Sequence, residues 1–249
     1  MLRPDPAIQS ITESNNFITV TLTQEALAQV AVDVARAGPR CVASDLLRGR
    51  TITVAPAPAA ANWVQARAAV AAEVIPRLAL AAGATSSTVS SAVMTGDIAA
   101  LIAFAGPDMV RFALARGGPE PEPGALARQV LDNPPYAVRY AHAAAAAVLR
   151  WAGHPPGDFR PALLAEPAQR ALLDALSWLP ERVATAARRG RPDVFARYLE
   201  ALASRTIDTM STTVLTTGPT SEMLWLALAA RTALAAGLDL LGISAPERV

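Results

Sequence analysis

Apolar and polar residues alternate in Phe17-Ile18-Thr19-Val20-Thr21-Leu22, and the β-branched content there predicts a half-buried strand. Arg50 to Val54 reads as a second strand. Between them Thr23 can cap a helix that runs to about Ala37 and stops at Gly38-Pro39. Another helix is predicted from about Asn62 to Ala82, with Gly83 past its end. The Ser-, Thr- and Ala-rich run from Gly83 to Thr95 reads as a loop. Beyond it the pattern is helical throughout: Gly96 to Phe104, Asp108 to Arg116, Gly124 to Leu131, Pro135 to Ala152, Pro167 to Ser177, Pro180 to Arg189, Pro192 to about Val214, and Ser221 to Gly237. Several of these begin with proline, harmless in a first turn because that N–H has no helical partner. The fold class expected is mainly α, a small N-terminal α/β part followed by a helical bundle. No repeat and no long heptad seam is present.

Composition sharpens this picture. The chain is 52% hydrophobic but only 5% aromatic; alanine supplies much of the rest, a strong helix former with little side-chain volume, so closely packed helices are expected. The apolar runs are interrupted before the ~18 to 20 residues that cross a bilayer; Ala68 to Ala82, taken as the longest, holds Glu73 and Arg77. No membrane association is expected. The N-terminus lacks the charged-then-apolar design of a secretory signal, and Cys41, the single cysteine, has no internal partner, so a cytoplasmic location is expected. Net charge is +1, and every basic side chain is arginine. The absence of lysine excludes a G-x-x-x-x-G-K-[ST] phosphate loop and a Schiff-base amine.

Candidate chemistry is sparse. His142, His154 and Cys41 lie far apart with no ligand spacing, so no metal is expected, and no G-x-S-x-G or G-x-G-x-x-G motif occurs. No catalytic residue and no cofactor is assigned. Two stretches are basic: Arg36, Arg40, Arg48, Arg50, Arg67 and Arg77 against Asp45 and Glu73, and Arg182, Arg188, Arg189, Arg191, Arg197 and Arg205 against Asp193 and Glu200. They suit phosphate contacts; equally, Arg188 and Arg189 suit the negative end of a helix dipole. Along the helix from Pro135, Tyr136, Tyr140, Ala144, Ala147 and Trp151 share one face, expected to be core. Arg139, His142, Ala146 and Arg150 share another, a candidate binding face or a plain solvated one. Trp225, Leu228 and Leu234 are expected to be buried with Tyr140, Tyr198 and Leu202.

The stretch Asp132-Asn133-Pro134-Pro135-Tyr136-Ala137-Val138-Arg139-Tyr140-Ala141-His142-Ala143 resembles an arginyl-tRNA synthetase segment in which Asn-Pro and a Tyr-rich run lead into Tyr-Ala-His-Ala. The ending Leu241-Gly242-Ile243-Ser244-Ala245-Pro246-Glu247-Arg248-Val249 is similar to that family's terminal Leu-Gly-Val-Ser-Ala-Pro-Glu-Arg-Met. Between them Ala196-Arg197-Tyr198-Leu199-Glu200-Ala201-Leu202-Ala203 resembles the middle of the family's helical anticodon-binding domain, named DALR after a sequence motif. Upstream, Asn16-Phe17-Ile18 and Ser44 to Arg50 resemble the entry to its nucleotide-binding fold, and Asp108 to Leu114 the helix that follows its active site. The resemblance implies three parts: a truncated nucleotide-binding-like α/β remnant over 1–92, a helical connector over 93–132 and a DALR-type domain over 133–249.

The departures bear on activity. Where that family holds ATP with His-x-Gly-His, this chain has Asn62-Trp63-Val64-Gln65, and the family's second nucleotide signature needs lysine. A catalytically degenerate paralogue is expected, a tRNA-binding or tRNA-related accessory module, with tRNA-Arg the partner the resemblance implies. Its RNA-binding candidates are Tyr136, Arg139, Tyr140, His142, Arg150, Arg188, Arg189, Arg191 and Arg197. Two alternatives stay open: a scaffold subunit that touches a protein partner or a second copy, through Trp63 and a shortened sheet edge, and a repurposed enzyme acting on arginine or charged tRNA.

Overall fold

The pair Asn15-Asn16, both at positive φ (50° and 64°), turns the chain through a tight hairpin, a conformation asparagine tolerates better than most residues. It joins β1 (Ile8–Ser14) to β2 (Phe17–Leu22) in antiparallel register, with Ile11 opposite Val20 and Glu13 opposite Ile18. The predicted strand is thus half of a hairpin, and it is not half-buried: every residue of β2 is exposed, Phe17 and Ile18 most of all. The computed structural model describes residues 5–56, 59–86, 92–216 and 219–249, with the side chains of 212–216 outside that description.

Thr23 caps α1 (Gln24–Ala37), its hydroxyl accepting from the Ala26 amide, and a short 3-10 turn, Gly38–Val42, follows. β3 (Thr51–Ile52), α2 (Trp63–Ala81) and β4 (Thr85–Ser86) form a small parallel β-α-β unit, Thr51 beside Thr85 and Ile52 beside Ser86. β4 lies in the run expected to be loop; two residues are too short to carry a strand signal, and residues 87–91 of that run lie outside the described residues. Gly83 makes the turn out of α2 at φ 84°, where an added Cβ would stand 2.8 Å from the Ser44 carbonyl oxygen. Only glycine fits there.

The remaining helices are α3 (Gly96–Ala105), α4 (Pro107–Arg116), α5 (Pro123–Leu126), α6 (Pro134–Ala152), α7 (Pro167–Ser177), α8 (Leu179–Arg189), α9 (Pro192–Thr216) and α10 (Ser221–Leu241). α5 is shorter than expected because Asn133 folds back and donates to the Leu126 and Arg128 carbonyls at 2.8 and 2.7 Å. α10 is the axis of the bundle, packed by α1, α6 and α9, while α2 lies against α4 and α8. One continuous core runs from Ala28 to Ile243, with much of it alanine.

Three core expectations change. Leu234 and Leu202 are fully buried, but Trp225, Leu228, Tyr140 and Tyr198 are only partly so. Among the described residues α10, not the run from Ala68, is the single helix long and apolar enough to cross a membrane; 61% of its apolar window is buried, which marks a central core element. The two faces of α6 are also exchanged: Trp151 is 57% exposed and Ala147 exposed, whereas His142 is 4% exposed and Ala146 fully buried. Close helix contact selects small side chains, so Ala141, Ala145 and Ala146 face the bundle and the aromatic residues are turned toward its margin.

Candidate functional site

Asn62 to Gln65, expected to stand at a degenerate ATP loop, form a helix cap. Asn62 is the N-cap of α2: its Oδ1 accepts from the Gln65 amide at 3.0 Å, and Gln65 Oε1 accepts from the Ala61 amide at 2.9 Å. The first bond satisfies one of the amides that a helix start leaves free, and the second ties down the residue before the cap. Trp63 points inward, 6% exposed, and its Nε1 donates to the Gly118 carbonyl at 3.3 Å, with Arg67 donating to the same oxygen at 3.1 Å. Trp63 is therefore an internal strut and not the partner-facing residue expected. Asn62, Val64 and Gln65 are exposed, Val64 at 76%.

Arg139, His142 and Arg150 do lie together on α6, but the C-terminal tail, 242–249, covers them. His142 Nδ1 is 2.8 Å from the Pro246 carbonyl oxygen, and Arg150 donates to the Glu247 carbonyl at 3.0 Å. Arg139 stands 3.6 Å from Asp108, which in turn accepts from the Ser244 amide and hydroxyl. Burial holds the His142 imidazole below its usual pKa, opposed by its bond to Pro246. The face expected to be open is closed at His142 and partly so at Arg139, while Arg150 stays exposed at its edge. On the opposite margin Tyr136 and Tyr140 stack at 5.9 Å.

The α8–α9 turn holds the second group. Arg191 clasps Asp193 with two hydrogen bonds, 2.8 and 2.6 Å, and that pairing keeps the Asp193 carboxyl below the usual carboxylate range. Arg188 donates to Thr185 at 3.3 Å, whereas Arg189 and Arg197 are exposed. No hydrogen bond or ion pair links this group to the α6 group among the described residues.

One exposed feature escaped the sequence reading. Trp178, 48% exposed at the α7–α8 junction, carries Arg182 over its ring at 5.6 Å. Trp178, Arg182 and Arg189 follow i, i+4, i+11 and lie along one outward side of α8. The signal was there, an Arg four residues after a Trp, but without the fold nothing distinguishes that Trp from a core residue. Elsewhere, burial pushes the Cys41 thiol up to about 11, so it stays protonated and unreactive near neutral pH. Among the described residues no three His, Cys, Asp or Glu side chains converge as a metal site would require.

Residues 138–249 match the family model of the DALR anticodon binding domain. The chain is 37% identical over 163 residues to the arginine–tRNA ligase of Renibacterium salmoninarum, an alignment covering 60% of this chain and 30% of that protein. It is 40% identical over 127 residues to that of Nitrosospira multiformis, covering 49% and 22%. The solved Thermus thermophilus arginyl-tRNA synthetase superposes with a TM-score of 0.50 at 32% identity, over 59% of this chain and 27% of that one. A putative arginyl-tRNA synthetase from Campylobacter jejuni shares the fold, at a TM-score of 0.54 and 19% identity, over 67% and 38%. The chain spans less than a third of the length of these curated relatives.

Proposed function

We propose that this chain, whose residues 138–249 match the DALR anticodon binding domain and which is similar to part of the arginyl-tRNA synthetases, binds tRNA as an accessory module and does not itself activate arginine. The domain match carries the first half of this reading. The RNA-facing surface we assign is the α8 stripe of Trp178, Arg182 and Arg189 with the neighbouring Arg188, because a base can stack on an exposed indole while guanidinium groups take phosphates. We leave out Arg139, which is paired with Asp108 of α4, and His142 and Arg150, which are bonded to the tail.

The second half rests on Asn62 and Gln65, which are committed to capping α2, and on the absence of lysine. Stabilisation of a triphosphate transition state by preorganised charge is worth several kcal/mol, and these residues do not supply it. Titrating labelled tRNA at several salt concentrations tests the binding. Replacing Arg182, Arg188 and Arg189 by Gln should weaken it and lower the log–log salt slope by about two units, each phosphate contact contributing roughly 0.7 to 0.9. An unchanged slope would remove the stripe from the reading. Arginine-dependent exchange between pyrophosphate and ATP, above a host-free control, would overturn the non-catalytic half.

A scaffold role is the second reading, and one observation favours it. The β1–β2 hairpin presents Ile11, Ile18, Val20 and Leu22 on one uncovered face, although isolated two-stranded hairpins are only marginally stable in water. Absence of tRNA binding at low salt, together with a defined complex with a protein partner, would select it.

A further inference from the structure

A groove of about 670 Å³ runs along α10 between the Gly38–Val42 turn on one side and α6 with the C-terminal tail on the other. Its floor is largely alanine, Ala235 and Ala236 among them, and its polar lining is His142, Arg231, Thr232, Asp239 and Glu247. An open trough of this size with a buried imidazole in its lining has the room and the polar groups to hold a small ligand.

The imidazole fixes what that occupant must offer. A carbonyl oxygen only accepts, so the Nδ1 of His142 that meets Pro246 carries the proton. Nε2 of the neutral ring is then an acceptor, and among the described residues it makes no hydrogen bond, although the side chain is 4% exposed. Beside it, Arg231 stands 3.5 Å from Glu247, and the same carboxylate is 4.0 Å from Arg150. One exposed carboxylate shared loosely by two guanidinium groups leaves a positive charge over at this end of the groove. Asp239 lies eight residues along α10, roughly 12 Å away by helix rise, too distant to neutralise it.

We infer that the groove binds a small organic acid with an apolar body: its carboxylate pairs with Arg231, an adjacent hydroxyl or amine donates to Nε2 of His142, and its hydrocarbon part lies on the alanine floor. This site is distinct from the α8 stripe and does not depend on RNA binding. The low proton affinity of the buried imidazole keeps Nε2 free to accept near neutral pH.

The chain has only two histidines, His142 and His154, so imidazole nitrogen NMR on the full chain reads the site directly once His154→Gln has assigned the signals. With 2-hydroxy-4-methylpentanoate as the probe, the His142 resonances should move saturably in the millimolar range while those of His154 stay fixed. 4-Methylpentanamide, which lacks the carboxylate, should not move them. Arg231→Gln should weaken binding about tenfold or more, the loss of one charge-assisted contact, and Glu247→Gln should tighten it by freeing Arg231. Saturating tRNA should leave the probe bound. The inference is overturned by an absence of saturable shift at tens of millimolar, by equal shifts of both histidines, by displacement of the probe with tRNA, or by unchanged affinity in a folded Arg231→Gln chain. If Arg231→Gln does not fold, the Glu247→Gln result decides: tighter binding supports the site, and weaker or unchanged binding overturns it.

Discussion

Replacing Arg111 by Met would remove a buried junction between three parts of the chain. Arg111 on α4 donates from Nη2 to Glu73 Oε2 on α2 at 2.6 Å and from Nε to the Leu241 carbonyl, at the end of α10, also at 2.6 Å. Glu73 is 3% exposed and its other oxygen accepts from the Ala92 amide at 3.1 Å. The Met variant keeps the aliphatic stem, so packing changes little. It strands an anionic oxygen in the core and a helix-terminal carbonyl beside it. Breaking one partner of a buried pair costs about 3 to 5 kcal/mol. The Arg111 side chain retains 20% exposure, so water can reach the gap and the expected loss lies near the lower figure, about 3 kcal/mol, or a fall in Tm of roughly 6 to 12 °C for a chain of this size. Glu73→Leu alone should also destabilise, leaving a guanidinium half in the core. The double change should cost less than the sum of the singles by about 2 kcal/mol or more, since neither charge is then unpaired. Urea unfolding of the four proteins, followed by circular dichroism, measures each value. Singles that each cost under about 1 kcal/mol, or strict additivity, would refute the claim that this pair locks α2, α4 and α10 together.

Three further outcomes follow from the same packing. Gly237→Ala in α10 gains about 1 kcal/mol of helix propensity but puts a Cβ 2.5 Å from Cδ2 of the fully buried Leu199, and overpacking costs about 1 to 3 kcal/mol; a net loss near 1 kcal/mol is expected by urea unfolding, reversed in a Leu199→Val background. His142 titrates lower in the folded chain than its ordinary 6.5, so below about pH 6.5 the unfolded chain takes up more protons and stability should fall with pH, a slope that His142→Gln should reduce; a pH series of Tm values checks it, and an identical slope in the variant would count against the buried neutral ring. Trp225 is half-buried, edge-on to Phe159 at 6.4 Å and beneath Arg36 at 5.8 Å, so Trp225→Ala should cost about 1 to 3 kcal/mol, below the roughly 3 to 5 kcal/mol of a fully buried aromatic; a loss above that upper range would mean the ring is enclosed.

Much of the helical content was legible in the chain because it depends on neighbours in sequence. Thr23, Asn62 and Thr220 cap helices from one residue outside them, and prolines at the first turns mark most of the later starts. The hairpin was half legible: Asn15-Asn16 between two β-branched runs is a turn signal, but only Phe17 to Leu22 alternates strongly enough to be read as a strand. The candidate site was less legible. The arginines of α6 and of the α8–α9 turn carry the same charge, yet in the first group Arg139 pairs with Asp108 and Arg150 with the tail, whereas in the second Arg188 and Arg189 are exposed.

What the sequence determined by itself was therefore local: helix starts and stops, the missing lysine, and the absence of imidazoles from Asn62 to Gln65. Which face of α6 is inside was decided only by tertiary structure. Aromatic rings carry more hydrophobic area than methyl groups, so a one-helix reading turns Tyr136, Tyr140 and Trp151 inward. In the bundle Trp151 is exposed and the two tyrosines are only partly buried, because alanines of α6 take the places against the neighbouring helices, and because residues about a hundred positions further on, Pro246 and Glu247, return to bond the face that a single helix would have left to water.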